Sequence, residues 1–370
     1  MRADIFCRVI DNYGDIGVCW RLARQLAREH GWRPRLWVDD LRVMARLAPP
    51  VDPKAATQRV DGVDIVHWTR PAPPLEPGDA VIEAFACDPP AEFVQRMNDR
   101  VRPPAWVNLE YLSAENWIES CHALPSLQPG GLRKFFFFPG FTSATGGLLR
   151  ERGLLAERDA LQADPAARAA FLLGAGVPAL RADERLVTLF CYPDAPVSAL
   201  ADVLTGDGTP TLLAIAPGVA SHLTEAARGP LRIVRLPFLP QPDYDKLLWS
   251  ADLNFVRGED SFVRAQWAAR PMVWHIYPQA GSAHVDKLQA WLRRYPAPDP
   301  TRALQTAWNG DAGAERLPQL LAAALSPAVF GPWREAAQDW SRGLARQTDL
   351  AAQLAGFCAA LAGAAGDRLY

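Results

Sequence analysis

Acidic residues in a glycine-containing loop near the amino terminus have the type and spacing for proton-transfer chemistry. The loop over residues 11–17 reads DNYGDIG and carries Asp11 and Asp15. A run of strand type over residues 4–10 precedes it, and apolar residues then recur at helical spacing. A loop between a strand and a helix is a favoured ligand position in an open α/β sheet. Two carboxylates there suit a general base or a cationic acceptor, and they would repel a pyrophosphate.

Two other interpretations of this loop stay open on the residues alone. Asp39 lies about where the acidic residue of a dinucleotide-binding fold would sit, although the loop does not read GxGxxG. In the other interpretation Asp15 is only a helix N-cap and Asp11 only a turn residue.

A second cluster combines acidic, hydroxyl and basic side chains at one predicted helix start. Residues 256–271 read VRGEDSFVRAQWAARP and follow a strand-like run. The free N–H groups of a helix start can bind a phosphate, arginines can neutralise a diphosphate, and carboxylates can accept from sugar hydroxyls. The predicted binding residues are Arg257, Glu259, Asp260, Ser261 and Arg264. The alternative is a capped helix with solvated charges.

Three further side chains are consistent with a nucleotide. Phe190 and Tyr192 end the first strand-like run of the second half, where their rings can stack on a base. Gln241 lies in the loop after RLPF and can hydrogen-bond a base edge or a phosphate. The alternative is that the two rings belong to the core and that Gln241 is an ordinary loop amide.

Composition and motifs exclude several other classes. The net charge of −2 argues against non-specific nucleic-acid binding, which needs concentrated positive charge. No apolar run reaches the roughly 20 residues of a membrane span, and the amino terminus lacks the pattern of a signal peptide, so we expect a cytoplasmic protein. The six cysteines form no CxxC and the histidines no HExxH, so no metal site is predicted. GxSxG is also absent, which counts against an α/β-hydrolase.

The order of predicted elements indicates an α/β protein. A length of 370 residues predicts two domains. Strand-like and helical runs alternate in both halves, which favours two doubly wound parallel sheets facing a cleft. The predicted domains span residues 1–175 and 176–344. A helix over about 345–370 is expected to pack back on the first domain.

Several long stretches together resemble the bacterial protein-arginine rhamnosyltransferases of translation elongation factor P, the EarP family. They lie between the first strand and about residue 292, so the resemblance covers most of the chain. The stretches are DIFCRVIDNYGDIGVCWRLARQLA, WVNLEYLSAENW, KFFFFPGFT, LPFLPQPDYDKLLWSADLNFVRGEDSFVRAQWA and MVWHIYPQAGSAHVDKLQAWL.

The resemblance implies a GT-B glycosyltransferase with two Rossmann-like domains and an inverting reaction. It implies dTDP-β-L-rhamnose as the donor, bound by the second domain, and an arginine of elongation factor P as the acceptor, received by the first. The functional acids of the family fall on Asp11, Asp15 and Glu259. We expect no cofactor, no metal, no nucleic acid and no membrane.

Other functions remain open on the residues alone. They are a glycosyltransferase or sugar-nucleotide epimerase acting on a small molecule, and a non-catalytic nucleotide-binding regulator. We expect Asp15 to be the base and Asp11 the orienting partner, and the residues alone leave the opposite assignment open.

Overall fold

The computed structural model describes residues 1–10, 13–224, 227–278, 283–310 and 313–366. The chain divides into two units. The first comprises Met1–Arg152 together with Gln347–Tyr370, and the second comprises Gly153–Arg346.

The described part of the first unit contains an eight-stranded sheet with strand order β3-β4-β2-β1-β5-β6-β8-β7. All neighbouring strands are parallel except β3 with β4 and β7 with β8. The strands are β1 (Arg2–Cys7), β2 (Arg33–Val38), β3 (Thr57–Val60), β4 (Val63–His67), β5 (Ala80–Ala84), β6 (Ala105–Leu109), β7 (Pro125–Leu127) and β8 (Arg133–Phe137). Because β1 pairs with β2 on one side and β5 on the other, the strand order reverses at β1, where open α/β sheets bind ligands.

Helices cover this sheet because its strands are apolar on both faces. They are α1 (Gly14–His30), α2 (Leu41–Leu47), α3 (Ala91–Asn98) and α4 (Trp117–Cys121). Successive residues of β1 point to opposite faces. Ile5 and Cys7 accordingly belong to one core cluster and Phe6 to another.

The described part of the second unit contains a six-stranded sheet with strand order β11-β12-β10-β9-β13-β14, parallel except for β11 with β12. The strands are β9 (Arg185–Leu189), β10 (Thr211–Ile215), β11 (Ala227–Arg228), β12 (Leu231–Arg235), β13 (Leu253–Arg257) and β14 (Met272–His275). The helices are α5 (Leu154–Ala163), α6 (Pro165–Gly174), α7 (Val197–Gly206), α8 (Gln241–Ser250), α9 (Asp260–Ala268), α10 (Ala283–Arg294), α11 (Asp299–Trp308), α12 (Leu317–Leu325) and α13 (Pro327–Ala345). The order reverses at β9, between β10 and β13.

The last helix returns to the first unit. It is α14 (Leu350–Gly366), and it places Leu350, Leu354 and Cys358 in the core cluster that contains Ile5. The Gln25 side chain on α1 also donates to the Asp349 carboxylate at 3.0 Å.

The units divide after Arg152, earlier than the boundary expected after residue 175. Side-chain hydrogen bonds explain the difference, because they tie α5 and α6 to the second unit. Gln162 donates to the carbonyls of Trp249 and Ala268 at 2.9 and 3.0 Å. Arg168 donates to the carbonyl of Ser250 at 2.8 Å.

Two features of the strands differ from the sequence-based expectation. The first strand ends at Cys7 rather than at residue 10, because the next backbone N–H groups donate to side-chain carboxylates instead of a neighbouring strand. The antiparallel edge strands β3, β7 and β11 were not expected. They are short, and their mostly exposed residues lack a clear hydrophobic pattern.

A buried carboxylate on β1 joins neighbouring parts of the first sheet. Asp4 accepts from Arg35 Nε at 2.5 Å, from Trp37 Nε1 at 2.8 Å and from the Gly78 N–H at 2.7 Å. A side chain at position 78 does not fit, because its Cβ would lie 2.6 Å from the Arg2 carbonyl oxygen.

Replacing this carboxylate tests its contribution to stability. We expect Asp4→Ala to lower the free energy of unfolding by about 3 kcal/mol, because buried donors lose their acceptor. Urea titration measures the change. The control is Asp64→Ala, whose pair with Arg59 is 3.2 Å long and has side chains 61% and 48% exposed. It should cost less than about 1 kcal/mol. Equal losses in the two variants would contradict this role of Asp4.

Candidate functional site

Asp15 lies at the reversal of strand order in the first unit. The N-cap of α1 is Tyr13, and Asp15 stands in the first turn rather than at the cap. Its side chain is buried. Oδ2 accepts the Ile10 N–H at 3.1 Å, and Oδ1 accepts the Tyr111 hydroxyl at 3.2 Å. The carboxylate is therefore bound to two segments that flank the end of the sheet.

Asp39 positions the same loop. Its Oδ1 accepts the N–H of Val9 at 2.9 Å. This contact gives Asp39 a structural role and does not support the dinucleotide interpretation. Asp11, the other predicted acid of the loop, lies outside the described residues.

The Cys7 thiol next to this site is neutral. The pKa of Cys7 is raised well above its ordinary value, first by its hydrogen bond with Cys19 and then by burial. The Asp15 carboxylate raises it further. Cys7 therefore stays protonated, and a thiolate does not add to the negative charge here.

Tyr111, which reaches Asp15, stacks on a ring from the neighbouring loop. The rings of Tyr111 and Phe85 are 4.3 Å apart with an interplanar angle of 12°. Phe85 and Ala86 have φ of 59° and 53°, in the left-handed region, where a residue with a side chain costs about 1–2 kcal/mol. The Ala86 N–H donates to Asn108 Oδ1 at 3.0 Å, which helps to hold this turn.

In the second unit, the two aromatic residues predicted to stack on a base contact an arginine that was predicted to bind the diphosphate. Phe190 and Tyr192 follow β9, and Arg257 ends the adjacent β13. The Arg257 guanidinium lies 4.5 Å from the centre of the Phe190 ring and 4.7 Å from that of Tyr192. It also donates to the Cys191 carbonyl at 3.4 Å. Burial raises the pKa of the Cys191 thiol to about 12, so it too is neutral.

The start of α9 brings further predicted residues together. Glu259 is its N-cap, Asp260 its first residue, and Ser261 is buried. Asp260 Oδ2 lies 3.4 Å from Gln241 Nε2 at the start of α8. The preceding Gly258 has φ of 63°, a conformation that favours glycine.

Arg264 is paired within the second unit. It is 1% exposed, and it binds Asp245 with Nε–Oδ1 and Nη2–Oδ2 distances of 3.0 and 2.7 Å. Asp245 therefore already compensates its charge. This geometry favours a role in holding α9 to α8 over the diphosphate contact predicted from the sequence.

Sequence reasoning missed His275 at the end of β14. Its Nδ1 accepts the N–H of Tyr192 at 3.2 Å, and its Nε2 lies 3.7 Å from Asp194 Oδ1. Burial lowers the pKa of His275 to about 4, with Asp194 acting in the opposite direction. The signal available was its position within MVWHIY, at the end of a strand-like run.

The described residues show neither a metal-binding group nor a membrane-spanning helix. No group of three or more His, Cys, Asp or Glu side chains there is arranged to bind a metal ion. No helix there is both long and apolar enough to cross a membrane.

Solved structures define the class of this fold. The glycotransferase of kitacinnamycin has a TM-score of 0.52 at 11% identity and covers 97% of this chain and 98% of its own. UGT89C1 of Arabidopsis thaliana, complexed with quercetin, has a TM-score of 0.53 at 11% identity and covers 98% and 99%. With the two parallel-dominated sheets, these matches define a GT-B glycosyltransferase fold.

More similar proteins define the family. A family model for the Elongation-Factor P (EF-P) rhamnosyltransferase EarP matches residues 3–359. The protein-arginine rhamnosyltransferase of Pseudomonas aeruginosa is 48% identical over 96% of this chain and 98% of its own length. That of Pseudomonas putida is 51% identical over 83% and 86%. The chain therefore belongs to the EarP family of EF-P rhamnosyltransferases.

A solved structure of the same family agrees with this assignment. It is described as the structural basis for EarP-mediated arginine glycosylation of translation elongation factor EF-P. It has a TM-score of 0.64 at 35% identity and covers 96% of this chain and 98% of its own.

The lowered pKa of His275 predicts a pH-dependent stability. A histidine in the unfolded chain binds a proton below about pH 6.5, whereas the folded protein resists protonation until about pH 4. As the pH is lowered through this window, the free energy of unfolding should therefore decrease, by about 2 kcal/mol between pH 7 and pH 5. His275→Gln should remove that part of the loss, as measured by urea titration at several pH values.

A second histidine variant is the control. His222→Gln changes an exposed histidine in the same unit and should leave the pH dependence unchanged. If the free energy of unfolding depends on pH in the same way in the wild type and in His275→Gln, the prediction is wrong.

Proposed function

We propose that the chain is an inverting glycosyltransferase that moves L-rhamnose from dTDP-β-L-rhamnose to an arginine side chain of EF-P. Its family membership and the activity named for its relatives support this substrate pair. The observation that carries the proposal is the buried Asp15 carboxylate, held by two hydrogen bonds where the strand order reverses. Because the acceptor is a translation factor, we place the reaction in the cytoplasm, with no nucleic acid or membrane as partner.

The acceptor sets the chemical problem. An arginine side chain is protonated at neutral pH, and its nitrogens are then poor nucleophiles. In our proposal Asp15 takes a proton from the guanidinium as the nitrogen attacks C1 of the sugar. The N–C1 bond forms while the bond from C1 to the phosphate oxygen breaks, and dTDP leaves. Attack opposite the leaving group converts the β-linked donor into an α-linked product. Asp11 is proposed as the orienting partner.

In the proposed reaction, residues of the donor-binding site stabilise the negative charge of the leaving dTDP. We assign this role to Arg257 and to the start of α9, including Ser261, because a helix N-terminus favours an anion. Arg264 supports that helix through Asp245. The carboxylates of Glu259 and Asp260 would accept from ribose or rhamnose hydroxyls, with no metal ion taking part.

We assign binding of the nucleobase to the aromatic and amide side chains that lie beside these charged residues. Phe190 and Tyr192 lie against Arg257, so base and diphosphate contacts would be adjacent. Gln241, close to Asp260, would hydrogen-bond a base edge or a phosphate.

The proposed base is tested by Asp15→Asn. The variant should lose at least about a hundredfold in kcat, because an amide cannot accept the proton. Its affinity for dTDP-rhamnose should stay unchanged, since the proposed donor contacts lie in the other unit. Transfer is measured as incorporation of labelled rhamnose into EF-P, and donor affinity by calorimetry. Assays are run with and without EDTA, and loss of transfer in EDTA that magnesium restores would contradict the metal-free mechanism.

Asp61→Asn is the matched control. Asp61 is an exposed acid of the same unit that pairs with Arg24 at 3.3 Å, and its loss should leave transfer intact. Full transfer by Asp15→Asn would remove Asp15 from the base role.

The donor site is tested by Glu259→Ala. We expect the affinity for dTDP-rhamnose to fall about tenfold, because a charged acceptor of sugar hydroxyls is lost. Calorimetric titration measures it. The control Asp243→Ala changes a half-exposed acid on α8, paired with Lys246 at 3.7 Å, and should bind the donor normally. Unchanged affinity in Glu259→Ala would place the sugar nucleotide elsewhere.

A further inference from the structure

Tyr111 has no role in the proposed proton transfer, although its hydroxyl donates a hydrogen bond to the proposed base. That hydroxyl donates to Asp15 Oδ1 at 3.2 Å, while the Ile10 N–H donates to Oδ2 at 3.1 Å. The two donors come from different segments, one following β6 and the other preceding α1. Each oxygen of the carboxylate thus has its own donor, and the two hydrogen bonds oppose rotation of the group.

The position of the Tyr111 ring is itself determined by the sheet. Tyr111 follows β6 and Phe85 follows the adjacent β5, and the Phe85 N–H donates to the Leu109 carbonyl at 2.7 Å. The two rings stack at 4.3 Å. The buried Asn108 accepts the Ala86 N–H at 3.0 Å and helps to hold the left-handed turn that carries Phe85.

A fixed carboxylate plane matters for an arginine acceptor. A carboxylate pairs best with a guanidinium when both groups are coplanar and the hydrogen bonds run in parallel. A rotated carboxylate still carries its charge, but the acceptor nitrogen then misses the line of attack on C1. The hydroxyl of Tyr111 opposes such a rotation at one of the two oxygens.

We propose that Tyr111 is a positioning residue for Asp15, with its ring fixed by the stack on Phe85. This inference rests on the proposed role of Asp15 as the base. Tyr111 acts through the carboxylate and takes no proton from the acceptor itself.

The test removes the hydroxyl and keeps the ring. Tyr111→Phe should lower kcat about tenfold, which corresponds to one lost hydrogen bond to a charged group. KM for EF-P and the affinity for the donor should change little. The acidic limb of the kcat profile should move to higher pH, because a carboxylate that loses a hydrogen-bond donor takes up a proton more readily.

A second variant tests the stack. Phe85→Leu keeps the hydroxyl but loosens the ring, so kcat should fall by less than in Tyr111→Phe. The double variant should be no slower than Tyr111→Phe alone, because both changes act through the same contact. Additive losses would show that Phe85 acts by another route and would overturn that part of the proposal.

A matched variant controls for loss of a phenolic hydroxyl. Tyr295 accepts a hydrogen bond from Trp333 Nε1 at 3.2 Å in the second unit, and Tyr295→Phe should leave kcat and its pH profile unchanged.

Asp15→Asn is assayed in parallel to separate the two ways of failing. If Asp15→Asn is inactive while Tyr111→Phe keeps its kcat, or loses kcat without a shift of the pH profile, Tyr111 does not position the base. If Asp15→Asn transfers rhamnose at the full rate, the proposed base is wrong and the role of Tyr111 falls with it.

Discussion

The hydrogen bonds that hold the Asp15 carboxylate between the Ile10 amide and the Tyr111 hydroxyl depend on the order of three parallel strands. Asp15 follows β1 and Tyr111 follows β6, while β5 lies between them and supplies Phe85. Parallel strands end at the same edge of a sheet, so residues that follow them meet there. A one-residue slip of β6 against β5 would turn its side chains to the opposite face and break this meeting.

The second unit follows the same rule with different chemistry. There β9 and β13 are the neighbours at the reversal of strand order, and they bring Phe190, Tyr192 and Arg257 together. Two arginines flank the start of α9 in sequence, and burial distinguishes them. Arg264 is neutralised by Asp245, and Arg257 lies against aromatic rings at the end of the strand. Arg264 therefore holds the helix in place, and Arg257 is the arginine that we propose to contact the leaving group.

The sequence predicts the fold class and most of the candidate site because these are local signals. The GT-B fold and the family are confirmed by the comparisons. Asp15, Glu259 and Ser261 stand directly beside strand ends and helix starts, where a pattern of residue types can be recognised. Their proposed roles stay predictions.

The parts that could not be predicted join distant segments. The contact between Tyr111 and Asp15 spans 96 residues, and that between His275 and Tyr192 spans 83. The neighbouring residues in the sequence do not distinguish Arg264 from Arg257 either, because Asp245, the partner of Arg264, lies on another helix. The domain boundary was expected after residue 175 for a similar reason, because the tertiary hydrogen bonds of Gln162 and Arg168 assign their helices to the second unit.

The turn after β5 shows why these distant contacts accumulate at the edge of the sheet. Phe85 and Ala86 each occupy a left-handed conformation that costs about 1–2 kcal/mol. The hydrogen bond to Asn108 stabilises the turn by about 1 kcal/mol, and the stack on Tyr111 stabilises it by about 1 kcal/mol more. Together the two contacts offset about 2 kcal/mol of a cost of about 2–4 kcal/mol for the two residues, so each contact helps to keep the turn in this conformation. Strain held in this way is characteristic of positions where the chain needs a side chain in one place. Here that side chain is the ring beneath Tyr111, and through Tyr111 the turn helps to orient Asp15.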